Sequence, residues 1–400
     1  MSGHVLTLNA GSSSLKFGLF AQGGAAPETR MTGLIDRIGG EAAMKAQDGG
    51  GAEIAAGVLP AGDRADHDGA LRTILAVLAE TFPDAEIAAV GHRVVHGGPD
   101  FVAPIPVTPA VLETLDGFSP FAPLHQPPNL RGVRAAMAAF PAAVQVACFD
   151  TAFHRHHPFV NDAFALPRRF YDKGVRRYGF HGLSYEFIAG ELARLAPHLA
   201  SGRVVVAHLG NGASMCGLLD GRSIASTMGF TALDGLPMGT RCGQLDPGVL
   251  LYLMDQEGMG SGAIADLLYK ESGLLGLSGL SNDMRELMAA DSPSAREAVD
   301  YFVFRIRREL GALAAALGGL DALVFCGGIG ENARAIRASV CEGMGWIGIE
   351  LDAARNDANG FELSSQFSRV RVLRIPTNEE IVIARAAAAH AGAARASAAE

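Results

Sequence analysis

Runs of apolar residues broken by short polar turns organise this chain from its start. HVLTLN and KFGLF read as two paired strands joined by a turn of Asn, Gly and three serines. The segment from 39 to 66, rich in Gly, Ala and Asp, reads as a loop or short meander. Leu71, Ile74, Leu75 and Leu78 then fall on one helical face. AEIAAVGHRVVHGG reads as a strand ending in a Gly-rich loop, and VQVACFD as a buried strand with Asp150 at its end. RVVVAHLGNGASMCGLLDG repeats the opening pattern of strand, polar turn and strand, with Asn211 about half the chain beyond Asn9. A helix is expected near 294–316, where Val299, Phe302, Val303, Ile306, Leu310 and Leu313 share a face. Strand DALVFC, loop GGIGEN and helix ARAIRASVCEGM follow, and the Ala-rich tail from Ala384 reads as a helix fraying into solvent. The order is α/β, and the repeated hairpin predicts two similar domains.

Composition narrows the class. With 400 residues, 49% hydrophobic and 19% charged, the chain has room for two cores. A net charge of −9 argues against nucleic acid or anionic membrane as partners. The five cysteines form no CxxC pair, which suits reduced thiols in a cytoplasmic protein. No signal peptide is expected before the first strand, and the apolar run Leu310–Leu320 is shorter than the ~18 residues of a membrane span.

The Gly- and Ser-rich turns offer the backbone N–H groups and hydroxyls that hold phosphate, although the same residues build ordinary turns. Two such hairpins and GGIGEN make three candidate phosphate-facing segments. The familiar alternatives fail: there is no GxxxxGK[ST] loop, and GGIGEN lacks the spacing and place of a dinucleotide fingerprint.

LTLNAGSSSLKF, GHRVVHGG, RYGFHGLSY, VVVAHLGNGASM, MGTRCGQLDPG, LVFCGGIGENA and IPTNEE, in that order from residue 5 to about 390, together resemble the acetate and propionate kinase family. The resemblance implies two duplicated actin-like (ribonuclease H-like) ATPase domains around a nucleotide cleft. It divides the chain into 1–149 with a returning helix at 381–400, and 150–380 carrying most of the nucleotide site. It implies reversible phosphoryl transfer between ATP and acetate, giving ADP and acetyl phosphate, with magnesium (manganese substituting) and a homodimeric assembly.

The chemistry fits that implication. Acetate has a pKa near that of Glu, ~4.3, so at neutral pH it needs no general base. The obstacle is an anion approaching a polyanion, which calls for positioning and cations. By the resemblance, Arg93 and Arg241 clamp acetate and phosphoryl oxygens, His181 stabilises the transition state and His125 supports it. Asp150 matches the family's active-site aspartate and is read as holding an arginine or a magnesium-bound water. Asn9 and Glu379 match the metal-associated positions. Thr377 and Glu380 have capping-box spacing, which leaves Glu379 for the ion. Ser12, Ser14 and Lys16 are expected to face phosphates. ATP-contacting stretches are His208, Leu209, Gly210, Asn211 and Gly212; Asp283, Met284 and Arg285; and Gly328, Ile329, Gly330, Glu331 and Asn332. The acyl pocket is expected from Val95, Leu124, Phe180 and Ala232.

Two departures stand out. Gln126 replaces the usual Asn of PLHNPP, and Ala232 stands where a pocket proline is usual, predicting a wider pocket. The histidines of FHRHHP, His154, His156 and His157, look like a zinc site but lack surrounding cysteine or carboxylate; a polar loop is the expectation. Propionate or butyrate kinase remains the near alternative. A sugar kinase would use an Asp base on a hydroxyl, whereas this acceptor site is cationic and apolar. A filament or chaperone relative is disfavoured because the chain ends about 20 residues after Glu380.

Overall fold

The computed structural model describes residues 3–11, 14–23, 26–64 and 66–399; Ser12 lies outside the described residues. The chain forms two compact units, Met1–Phe153 with Asn378–Glu400, and His154–Thr377. Asp150 therefore belongs to the first.

The first unit is built on β1 (His4–Ala10), β2 (Leu15–Ala21), β3 (Glu28–Asp36), β4 (Ala43–Asp48), β5 (Glu53–Val58), β6 (Ile87–Val94), β7 (Ile105–Pro106) and β8 (Val144–Phe149). Their order is β5-β4-β3-β2-β1-β6-β8-β7. β1 to β5 run as an antiparallel meander, so of the two readings for the stretch that begins at 39, loop or short meander, the meander holds over 43–58. β1, β6 and β8 are mutually parallel, as buried strands rich in Val, Leu and Ala permit. The helix His67–Thr81 is capped by Asp66 and buries Leu71, Ile74 and Leu78.

The C-terminal helix Glu379–Ala399 does not simply fray. It packs on β1, β6 and β8, with Ile383, Ala384, Ala387 and Ala391 buried. Gly91 of β6 makes this possible, since a Cβ there would lie 2.5 Å from Ile383 Cγ2. The start of this helix also departs from expectation. Asn378 caps it, accepting from Ile381 N, because the Thr377 hydroxyl is bonded to Ser184.

The second unit carries β9 (Arg203–Leu209), β10 (Ala213–Leu219), β11 (Arg222–Ser226), β12 (Ala322–Cys326) and β13 (Arg371–Arg374), in the order β11-β10-β9-β12-β13. β9, β12 and β13 are parallel and β9–β10 is an antiparallel hairpin. The segment β3-β2-β1-β6-β8 has this same topology, so the repeated hairpin in the sequence marks a repeated fold. The helix Pro293–Leu317 buries Phe302, Ile306 and Leu310, and ends at Gly318 in the left-handed region.

GGIGEN is a helical turn, Gly327–Asn332, where the sequence suggested a loop. Gly327 has φ +75°, and a Cβ there would come within 3.0 Å of the Leu209 backbone, so the turn lies directly against β9. Among the described residues no helix is long and apolar enough to cross a membrane.

Candidate active site

In the first unit, Arg93 lies near the end of β6 and Asp150 just past β8. Adjacent parallel strands end on one edge of a sheet, where open α/β sheets place their chemistry. Arg93 Nε donates to both Asp150 oxygens (3.0 and 3.1 Å), Nη2 to Oδ2 (2.5 Å), and Nη1 to Asn9 Oδ1 (3.1 Å). Burial alone would lower the pKa of Arg93; the Asp150 carboxylate more than reverses this and holds it above its ordinary value. Burial pushes the Asp150 carboxyl up, against the pull of the guanidinium. The forked bond is one that a carboxylate accepts.

Asn9 Nδ2 donates to Glu379 Oε2 at 3.3 Å, bringing both candidate metal residues together. The Glu379 carboxylate is an oxygen donor of the kind magnesium prefers, while Asn9 turns its amide nitrogen to Glu379 and its Oδ1 to Arg93, so Asn9 serves such an ion by orienting Glu379. Next to them, Glu380 Oε1 is buried without a hydrogen-bond partner, a further oxygen in want of a cation or donor. The residues fit a divalent ion.

Lys16 is exposed and pairs in register with Asn9, placing both on one face. The carbonyl of Ser14 accepts from Gly11 N at 2.8 Å. His67 Nε2 donates to the Gly11 carbonyl at 2.8 Å, pinning the turn. Val95 is buried, and Leu124 and His125 are half-buried at the entry to the helix Gln126–Ala139. Two residues that sequence reasoning undervalued fix these loops. Gln126, fully buried, accepts from His96 N and donates to the carbonyls of His96 and Leu115. Asn129 accepts from Val95 N at 2.9 Å and donates to Ala10 O at 2.6 Å, locking the ends of β1 and β6 together. Two amides on the buried face of an apolar helix were the available signal.

In the second unit, His181 heads the helix Gly182–Leu195 with φ +56°, a left-handed conformation uncommon outside glycine. Its Nδ1 meets Ser214 Oγ at 2.8 Å, and Ser214 Oγ meets the Tyr185 hydroxyl at 2.5 Å. The ring stacks on His208 at 4.4 Å, and His208 Nδ1 meets Ser184 Oγ at 2.8 Å. Arg241 Nη1 donates to the Ala232 carbonyl at 2.9 Å. Gly212 shows how close the two catalytic candidates stand: a Cβ there would lie 2.9 Å from Arg241 Nη2 and 3.3 Å from His181 Nε2. Phe180 is buried and Ala232 half-buried.

Beside this pair opens a cavity of about 870 Å³. Gly210, Asn211, Asp283, Met284, Arg285, Gly328, Ile329 and Asn332 line it, with Asn282, Met288, Ala289, Ala333, Arg334 and Ala335 completing the wall. His208, Leu209, Gly212, Gly330 and Glu331 do not line it. Glu331 instead accepts from Gly327 N and Thr377 N, bracing the turn from behind. Arg337, unremarked in the sequence, is fully buried and donates to the Gly330 and Glu331 carbonyls at 2.9 Å. His154 and His157 are bonded to Ser223, and among the described residues no His, Cys, Asp and Glu group could hold a metal ion by itself.

The family model described as the Acetokinase family matches residues 4–385. The chain belongs to the acetokinase family. An acetate kinase of Methylocella silvestris is 61% identical over 394 residues, covering 96% of this chain and 97% of that protein. One of Rhodopseudomonas palustris strain TIE-1 is 53% identical over 390 residues, covering 96% and 98%. The crystal structure of Porphyromonas gingivalis acetate kinase superposes with a TM-score of 0.84 at 38% identity, covering 96% of this chain and 98% of that one. A propionate kinase from Francisella tularensis gives 0.88 at 34% identity, with coverage of 96% and 98%. The acetokinase match spans both units and contains the two hairpins, both arginines and the Asn9–Glu379 pair.

Proposed function

We propose that this protein transfers the γ-phosphoryl group of ATP to acetate, reversibly, giving ADP and acetyl phosphate. The observation that carries this reading is the engagement of Asp150 by Arg93. A kinase acting on a hydroxyl needs an aspartate to take a proton; here the buried aspartate is committed to an arginine on both oxygens. An acceptor that is already an anion needs no base, and a carboxylate matches a fixed guanidinium.

Arg93, oriented by Asp150 and Asn9, receives the acetate carboxylate, with Val95 and Leu124 from the same unit beside its methyl group. Phe180 and Ala232 are assigned to the acyl group as well, and His125 to the support of its carboxylate. Arg241 and His181 stabilise charge on the transferring phosphoryl oxygens, where preorganised donors count most. The cavity beside them takes the nucleoside, within the range of ordinary cofactor pockets. Ser12, Ser14 and Lys16 are assigned to the phosphates. Glu379, oriented by Asn9, would hold magnesium, or manganese in its place, and the bound ion would supply neutralisation of phosphate charge. The half-buried Ala232 favours some tolerance for propionate.

The assembly is proposed to be a homodimer in the cytoplasm. The helix Pro247–Asp255 is strongly apolar yet buries none of its residues, with Leu251 62% and Tyr252 55% exposed. An apolar helix of this kind normally packs on something, and a second copy is the simplest occupant. A mass of about twice 41.6 kDa in light scattering, reduced to one chain by Leu251→Glu, is the expected result.

The activity is tested by trapping acyl phosphate with hydroxylamine in the presence of MgATP and acetate, propionate, butyrate, glycerol or glucose. Hydroxamate from acetate supports the reading. Phosphorylation of an alcohol without hydroxamate from any acid sinks it.

A further inference from the structure

A buried chain of polar groups runs up to the backbone behind His181. His157 Nε2 lies 2.7 Å from Ser223 Oγ, and Ser223 Oγ lies 2.7 Å from His154 Nδ1. His154 Nε2 lies 3.0 Å from the carbonyl of Phe180, the residue before His181. Cys216 Sγ is also 3.1 Å from Ser223 Oγ. His154 and Ser223 are 0% and 2% exposed, so both are shielded from bulk water.

The protons in this chain can be placed by elimination. The Phe180 carbonyl only accepts, so His154 carries its proton on Nε2 and donates it there. In the neutral ring Nδ1 is then an acceptor, and the single hydroxyl proton of Ser223 is directed to it. Ser223 Oγ accepts in turn from His157 Nε2–H and from the Cys216 thiol. Burial favours neutral forms throughout: it lowers the pKa of His154 well below the usual value, lowers that of His157 to about 4, and pushes the Cys216 thiol up to about 12. His157 Nδ1 is left buried without a hydrogen-bond partner, a cost consistent with its other nitrogen having a fixed task.

The same imidazole fixes the preceding residue sterically. A Cβ on Gly179 would lie 2.6 Å from the His154 ring, so only glycine, here at φ +73°, lets the ring reach the Phe180 carbonyl. The next residue is His181, held at φ +56° with its Nδ1 on Ser214. A left-handed conformation at a non-glycine residue persists only where its surroundings enforce it. The Tyr185 ring, edge-on to His154 at 5.6 Å, closes the arrangement from the other side, and its hydroxyl reaches the same Ser214.

We propose that His154, oriented by Ser223 and His157, is a positioning residue for His181: its bond to the Phe180 carbonyl holds the left-handed turn that aims the His181 imidazole. This rests on the catalytic reading of His181 given above. It also gives a task to the histidine cluster that the sequence offered as a metal site.

The test uses the full chain and His154→Leu, His154→Gln, Ser223→Ala and His181→Ala. Kinetics in MgATP and acetate are combined with calorimetric binding of MgADP and nitrogen-15 NMR of histidine rings. His154 should appear as the Nε2–H tautomer from pH 6 to 8. His154→Leu should lower kcat about 10-fold or more with KM for ATP and MgADP affinity within twofold. His154→Gln, whose amide can donate from nearly the same place, should recover kcat to within about threefold of wild type. Should the Leu variant not fold, Ser223→Ala carries the test, with an expected three- to tenfold loss in kcat. An Nδ1–H tautomer at His154, a folded Leu variant with kcat within twofold, or a Gln variant as impaired as Leu would each overturn the proposal. The catalytic reading is tested separately: wild-type kcat in His181→Ala would remove it, while the tautomer still reports on the His154 bond itself.

Discussion

Gly212→Ala should damage catalysis without damaging the fold. The added methyl would stand 2.9 Å from Arg241 Nη2 and 3.3 Å from His181 Nε2. Non-bonded contacts settle near 3.5 Å, so Arg241 must withdraw by about 0.6 Å, loosening its bond to the Ala232 carbonyl. A misplacement of ~1 Å in a reacting constellation can cost ~100-fold, so about half of it should cost roughly 10-fold in kcat, or ~1.4 kcal/mol of transition-state stabilisation. Stability should barely change. Gly212 is not among the positive-φ glycines, and the displaced atoms are the ends of side chains. Lower chain entropy in the unfolded state even favours alanine slightly. The assay is hydroxamate formation at saturating MgATP and acetate, beside a thermal melt. A folded variant with kcat within twofold of wild type would refute the reasoning, because it would mean that the two groups do not act from these positions.

Three further outcomes are expected. Asp150→Asn should lower unfolding stability by about 3 kcal/mol, since it strands a guanidinium that is largely buried; an unchanged urea midpoint would contradict the ion pair as described. Stability should fall as pH drops from 6.5 toward 4, because buried His92, lowered to about 4, resists a proton that the unfolded chain accepts. That single group accounts for up to ~1.4 kcal/mol per pH unit in this window, and His92→Gln should flatten the slope measured by urea unfolding. Ala232→Pro should shift the kcat/KM ratio toward acetate over propionate by no more than the ~1–3 kcal/mol that one methylene commands; the carbonyl that Arg241 uses survives the change, so an unaltered ratio in an active variant would remove Ala232 from the pocket.

β1, β2, β6, β8, β9, β10 and β12, both hairpins and the helices His67–Thr81 and Pro293–Leu317 were legible because period and length specify them with little help from distant contacts, whereas β3, β13 and the helices Gln126–Ala139 and Gly182–Leu195 were not read. The charged pair at Arg93 and Asp150 was legible as two polar residues ending buried strands. An arginine was already one of the two partners read for Asp150, and the bond to Arg93 bears that out; its forked form depends on β6 and β8 being neighbours. GGIGEN looked like a loop because glycine weighs against helix. Its helical form is imposed from outside, by close approach to β9 and by Arg337 on its last carbonyls, and a buried arginine in an amphipathic run is indistinguishable from a surface one. At TNEE both Thr377 and Asn378 can cap a helix, and the choice falls to Asn378 because Ser184, nearly two hundred residues away, engages the threonine. The alanine tail carries no contrast between faces, so its burial depended on a glycine in another element.

On the proposed function, the repeated topology puts one scaffold to two uses. In each unit a hairpin with an Asn near its turn leads the sheet, and two parallel strands follow on the same side. In the first copy those strand ends present side-chain charge: Arg93 near the end of β6 and Asp150 just past β8, with Asn9 bonded to both Arg93 and Glu379. In the second copy the equivalent end of β12 runs straight into Gly327, and what it presents is backbone, braced by Glu331 and Arg337. A carboxylate acceptor needs fixed cations, whereas a nucleotide needs close approach and a shaped wall. On the proposed function, the equivalent strand ends carry the residue types that each ligand demands, charged in one unit and glycine in the other.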